Sequence, residues 1–250
     1  VNNLNPVSIS LDNYFVDRDK TPLDEFGHLD YESIRAIDLK RFNKDLNDLL
    51  EGKEVQLPRY NFITGKSEPG EILQIDENQP IILEGIHGLN PMLTASIPDN
   101  EKFKIYLSAL TQLNLDDHNR IPTTDLRLIR RIVRDNQFRG HTAEMTIKGW
   151  PSVRRGEEKN IFPYQGNAEM FFNSSLVYEL PVLSIFARSL LAEATLPEEN
   201  EDPDDPMTKE LTREAKRLVG LANLFYAIPL QDVPHISCIR EFTGGSDPKY

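Results

Sequence analysis

At 250 residues the chain has room for one large domain or a domain with an appendage, and its 39% hydrophobic content is ordinary for a globular protein. No run of about 18 apolar residues exists, the opening VNNLNPVSIS lacks a signal peptide's basic and apolar regions, and the lone Cys238 excludes an internal disulfide, so a cytoplasmic protein with no membrane contact is expected. The net charge of −12 argues against general nucleic-acid binding, yet Arg120 to Arg155 holds nine cations against three acids, a local anion site in an acidic chain.

In chain order, Val7–Leu11 reads as a buried strand running into Asp12. Asp17–Tyr31 is polar and turn-rich, and Ser33–Gly52 carries Ile34, Ile37, Phe42, Leu46 and Leu49 at helical spacing with Gly52 as a C-cap. EVQLPRYNF is extended and broken by Pro58; Ile81–Leu83 is a short apolar run ending in Glu84-Gly85; Phe103–Ala109 alternates as a strand. Asp125–Phe138 is an Arg-rich helix, Ser152–Glu158 another helix, and Ser175–Leu183 a final buried strand. Ser184–Ala194 and Met207–Ala227 read as helices joined by the acidic loop LPEENEDPDDP. Strands separated by helices predict an α/β fold with a largely parallel sheet over residues 1–183, followed by a helical extension over 184–250.

Two strands end in an acid, at Leu11-Asp12 and Leu83-Glu84. In open α/β sheets ligands bind beyond the carboxyl ends of strands, so this pair either holds Mg²⁺ and a proton-accepting site or merely caps the following turns. Tyr60 and Phe62 alternate onto one face of PRYNF, to stack on a flat ligand or to pack under a hairpin. Arg127, Arg131 and Arg134 share a helix face, and the neighbouring Arg139-Gly140-His141 favours a phosphate clamp over a merely solvated surface.

As an ordered set, ISLDNYF, HLDYESIRAID, LPRYNF, IILEGIHGL and DLRLIRRIVRDNQFRG resemble the motifs of the uridine kinase and phosphoribulokinase group of P-loop kinases, from Pro6 to Leu183. The tail VPHISCIREFTGGS is similar to the C-terminal extension of a bacterial uridine kinase-like branch. The resemblance implies a P-loop kinase-like sheet, ATP with Mg²⁺, and a nucleoside acceptor. It implies Asp12 as the base for the 5′-hydroxyl and a second acid near the metal, Glu84 as the Mg²⁺ residue, and Asp30 on the ribose hydroxyls. Tyr60 and Phe62 are implied in the base pocket, His87 and His141 in substrate binding, and Arg131, Arg134 and Arg139 in neutralising the transferring phosphoryl group.

The chain departs from the pattern in three places. Gly65 stands where uridine kinases often carry a pyrimidine-reading histidine, and His141 where a second arginine is usual. The motif G-x-x-x-x-G-K-[ST], whose amides and lysine cradle phosphates, does not occur. The expectation is therefore a fragment of a nucleoside kinase lacking its first strand and P-loop, inactive alone, and a homodimer if the open strand edges are covered. A non-catalytic nucleoside-binding module, or a kinase with a phosphoribulokinase- or pantothenate kinase-like acceptor, are the alternatives.

Overall fold

Six short strands and six helices make up the computed structural model, which describes residues 4–196 and 204–247. The chain divides into two units. The first comprises Val1–Tyr106 with Val153–Phe171, the second Leu107–Ser152 with Phe172–Tyr250.

The first unit begins with β1 (Val7–Ser10), which pairs in parallel with β4 (Ile81–Glu84). Between them lies α1 (Leu39–Leu50), shorter than the periodicity of Ser33–Gly52 predicts. The reason is local: Ser33 caps a separate 3-10 turn at Ile34–Ala36, and the Asp38 carboxylate then accepts the Arg41 N–H at 3.0 Å to start the helix proper. Phe42, Leu46 and Leu49 point from α1 into a core with Ile9, Leu11, Tyr14 and Leu57.

Pro58 does not break its segment. β2 (Val55–Asn61) runs through it and pairs antiparallel with β3 (Lys66–Leu73), a strand whose mixed polarity gives no period in the sequence. An irregularity between Gln56 and Pro58 absorbs the missing N–H, with Pro58 opposite Pro69. The hairpin turn is built by Asn61, whose Oδ1 accepts the N–H groups of Ile63 and Thr64, each at 3.1 Å.

β5 (Ile105–Ser108) pairs with β6 (Met170–Asn173), and α3 (Ala143–Asn160) extends well beyond the expected Ser152–Glu158. The second unit is helical at its core. α2 (Thr123–Arg139), α4 (Glu179–Glu193) and α5 (Pro206–Asn223) bury Ile129, Ile132, Leu183, Leu191 and Leu218 together, with the short α6 (Arg240–Thr243) alongside.

The final strand expected at Ser175–Leu183 is not a strand. Glu179–Leu183 form the first turn of α4, where Pro181 lacks only an N–H that a helix start leaves unpaired anyway. The second half of the apolar run LVYELPVL is the buried start of a helix, which short apolar runs do not distinguish from a buried strand. Part of the acidic loop LPEENEDPDDP lies outside the described residues. Among the described residues no helix is long and apolar enough to cross a membrane.

Candidate functional site

In the first unit the two strand-end acids emerge side by side. Ser10 of β1 stands opposite Glu84 of β4 in the parallel register. Asp12 follows on the 3-10 turn Leu11–Tyr14. The two turns are in contact: a Cβ at Gly85 would sit 2.7 Å from the Leu11 Cβ, and Gly85 adopts φ +148°, so the backbone after Glu84 reaches the Asp12 turn only without a side chain. Asp12 and Glu84 are both exposed at this end of the strand pair. Among the described residues no group of three or more His, Cys, Asp or Glu gathers as a metal site. Two carboxylates suit Mg²⁺, which takes one or two from protein while phosphate oxygens supply the rest.

Tyr60 and Phe62 do come together, and with more partners than alternation along β2 suggests. Their ring centroids lie 5.1 Å apart, and Phe15 stands 5.5 Å from Tyr60, 6.4 Å from Phe62 and 6.2 Å from Tyr31. Tyr60 is 5% exposed and Phe62 57%, so the cluster is anchored on one ring and open on the other. The buried Tyr60 hydroxyl makes no hydrogen bond of good geometry among the described residues, and the Arg18 side chain lies near it. Burial, then the neighbouring Tyr31, pushes its ionisation upward, while Arg18 opposes.

Asp30 uses its carboxylate to accept the Glu32 N–H at 3.2 Å. His87 is 1% exposed, and neither ring nitrogen makes a hydrogen bond of good geometry among the described residues. Burial lowers its pKa against the opposing pull of the Glu32 and Ser33 backbone and the Asp30 charge. A neutral imidazole is the result, with one N–H to give and one lone pair to accept.

Two residues here carried no sequence signal. Asn13 accepts the Tyr60 N–H at 3.4 Å, tying the Asp12 turn to β2. Arg18 lies across Gly65, where a Cβ would come 2.7 Å from its Nε, and donates through an Nη to the Phe62 carbonyl at 2.7 Å. Gly65-Lys66-Ser67 reproduces the last three positions of the phosphate-cradle motif, but Tyr60 stands at the first glycine position and the tripeptide opens β3, not a helix. Lys66 is engaged by Asp17 and Asp19 at 3.4 and 3.1 Å. A cavity of about 470 Å³ between β1 and the hairpin, lined by Ser8, Ser10, Asn13, Arg59 and Glu71 among others, holds none of the candidate residues.

In the second unit Arg131, Arg134 and Arg139 converge on one carboxylate. Asp135 sits 3.3 Å from Arg131, 3.1 Å from Arg134 and 3.3 Å from Arg139, with its side chain 2% exposed. The Asp135 carbonyl also accepts the N–H groups of Gly140 and His141 at the end of α2. Gly140 closes that end in the left-handed region at φ +67°. In the sequence Asp135 stands out only as an opposing charge in a basic stretch. Its i−4 and i+4 arginines are the signal that marks it as a hub. Arg130 on the same helix is spent otherwise, paired with the buried Glu179 of α4.

The profile of the phosphoribulokinase/uridine kinase family matches residues 11–179 of this chain. A uridine kinase of Ligilactobacillus salivarius is 30% identical over 142 residues, 57% of this chain and 59% of the relative. One from Staphylococcus epidermidis is 28% identical over 172 residues, 67% and 75% of the two lengths. One from Borrelia turicatae is 30% identical over 199 residues, 76% of this chain and 85% of its own. The chain thus spans less than two thirds of the first of these relatives and most of the last.

Proposed function

The chain belongs to the phosphoribulokinase/uridine kinase family, and from that premise we propose that it carries the acceptor side of an ATP-dependent nucleoside kinase, of uridine or cytidine type. The observation that carries this reading is the pair of acids, Asp12 and Glu84, brought to adjacent turns at one end of β1 and β4. Asp12 accepts the 5′-hydroxyl proton as that oxygen bonds the γ-phosphorus and the bond to ADP breaks. Asp30 holds the ribose hydroxyls, with His87 beside it, and Phe62 stacks on the base with Tyr60 and Phe15 packed edge-on behind it to line the base pocket. Arg131, Arg134 and Arg139, gathered on Asp135, form a cationic cluster of the kind that neutralises a transferring phosphoryl group, because positioning and electrostatics carry most of phosphoryl transfer, and His141 beside them is assigned to substrate binding. Glu84 with Asp12 would hold Mg²⁺, which supplies charge neutralisation at the phosphates when bound.

The sequence has no phosphate-cradle motif, so on this reading the chain alone binds nucleoside and transfers nothing, in a cytoplasmic setting. The test is calorimetric titration with a panel of nucleosides, ribulose 5-phosphate and pantothenate, alongside an ADP-release assay with Mg²⁺ and ATP. Saturable nucleoside binding, weakened at least tenfold in Asp30→Ala and largely kept in Asp12→Asn, is expected, with no ADP release. Binding of ribulose 5-phosphate or pantothenate instead would move the acceptor class, and binding of none of them would overturn the reading.

A further inference from the structure

We propose that Arg18 determines which base the site accepts, selecting nucleosides whose base presents carbonyl oxygens, uridine above all, over those that present an amino group there. The inference rests on the nucleoside reading above and adds a residue that the family resemblance does not assign.

Three observations place Arg18 at the open end of the aromatic cluster. It opens the turn Arg18–Lys20, and its backbone N–H bonds the Gly65 carbonyl at 2.9 Å, which pins the turn to the tip of the hairpin. Its side chain then runs over Gly65: a Cβ there would lie 2.7 Å from Nε and 2.8 Å from Cζ, so glycine at 65 is what gives the guanidinium its place. One Nη reaches the Phe62 carbonyl at 2.7 Å, directly beside the most exposed ring of the cluster.

The chemistry follows from the donor inventory. A guanidinium has five N–H donors in a fixed fork and no acceptor, and the Phe62 carbonyl takes only part of that capacity. A flat ring laid on the exposed face of Phe62 would meet the remaining donors at its edge, with Phe15 and the buried Tyr60 packed edge-on behind Phe62. Uracil presents carbonyl oxygen at C4, whereas cytosine presents an amino group, which a donor-only fork cannot satisfy. Arg18 therefore binds the first and leaves the second facing like with like.

The experiment is calorimetric titration of the chain with uridine and cytidine, repeated on Arg18→Met, which keeps the aliphatic stem over Gly65 but removes the fork. Wild type is expected to bind uridine about tenfold or more tightly than cytidine, the discrimination of one well-placed contact. Arg18→Met is expected to bring the ratio close to one by weakening uridine, with cytidine within about threefold of wild type. A melting temperature close to wild type checks the fold, and Arg18→Lys, which keeps charge without the fork, is expected to recover only part of the ratio. Equal binding of the two nucleosides by wild type, or equal weakening of both in Arg18→Met, would overturn the assignment while leaving the nucleoside site standing. Binding of neither by wild type would remove the site itself and the assignment with it.

Discussion

Asp135 shows how much one buried side chain organises. Three guanidiniums repel one another unless a negative charge draws them in, and this carboxylate does so from within the helix that bears two of them and ends at the third. Asp135→Asn is expected to cost about 1–3 kcal/mol, between the values for an exposed and a fully buried pair because the arginines are partly exposed. Denaturant unfolding followed by a probe in the second unit would measure it, and an unchanged midpoint would show that the arginines hold themselves. His87 supplies a pH prediction. Burial depresses its pKa below the ordinary value of 6.5, so the folded state stays neutral while the unfolded chain takes up a proton. This contribution to stability is complete above pH 6.5 and falls away as the pH drops below it. The loss of melting temperature between neutral and mildly acidic buffer is expected to shrink in His87→Gln. Equal losses in both proteins would assign the acid sensitivity elsewhere.

At the scale of elements, the strand–turn pairs β1–Asp12 and β4–Glu84 depend on one close approach. Gly85 combines a φ of +148° with a Cβ direction that ends 2.7 Å from Leu11. Gly85→Ala is expected to destabilise the first unit by about 1–3 kcal/mol, as overpacking does, and to displace the Asp12 turn. Thermal unfolding together with nucleoside titration would read both effects, and a variant with wild-type values would mean the two turns are not coupled. Element type was readable where periodicity was long and unambiguous, as in α2 and α5. It failed at Ser175–Leu183, because an apolar run does not say which neighbours will cover it, and α2 with α5 decide that α4 is a helix. It also missed β3, KSEPGEIL, whose mixed polarity carries no period and which is a strand because β2 supplies its hydrogen bonds.

At the scale of the whole molecule, the described residues form two hydrophobic cores, one per unit, around Leu49 and around Leu183, each fully buried. Leu49→Ala and Leu183→Ala are each expected to cost about 2–5 kcal/mol. Hydrogen exchange resolved by peptide should show the loss of protection in Val1–Tyr106 for the first and in Phe172–Tyr250 for the second. Loss spread evenly over both units from either variant would contradict the division into two cores.

Ordered motifs are legible without coordinates, so the family can be read from the chain alone, and with it Asp12, Glu84 and the arginines of α2 as candidate site residues. The sequence by itself also determined that Tyr60 and Phe62 share a side, because alternation along an extended chain is local geometry. Tertiary structure decided what stands around them: Phe15 and Tyr31 completing the aromatic cluster, Arg18 lying over Gly65, and Asp135 holding three arginines. Arg18 and Phe62 are separated by 44 residues and meet only because the hairpin folds back on the turn after β1. Local spacing encodes which face a side chain takes, but which distant backbone closes over that face depends on the packing of the whole unit.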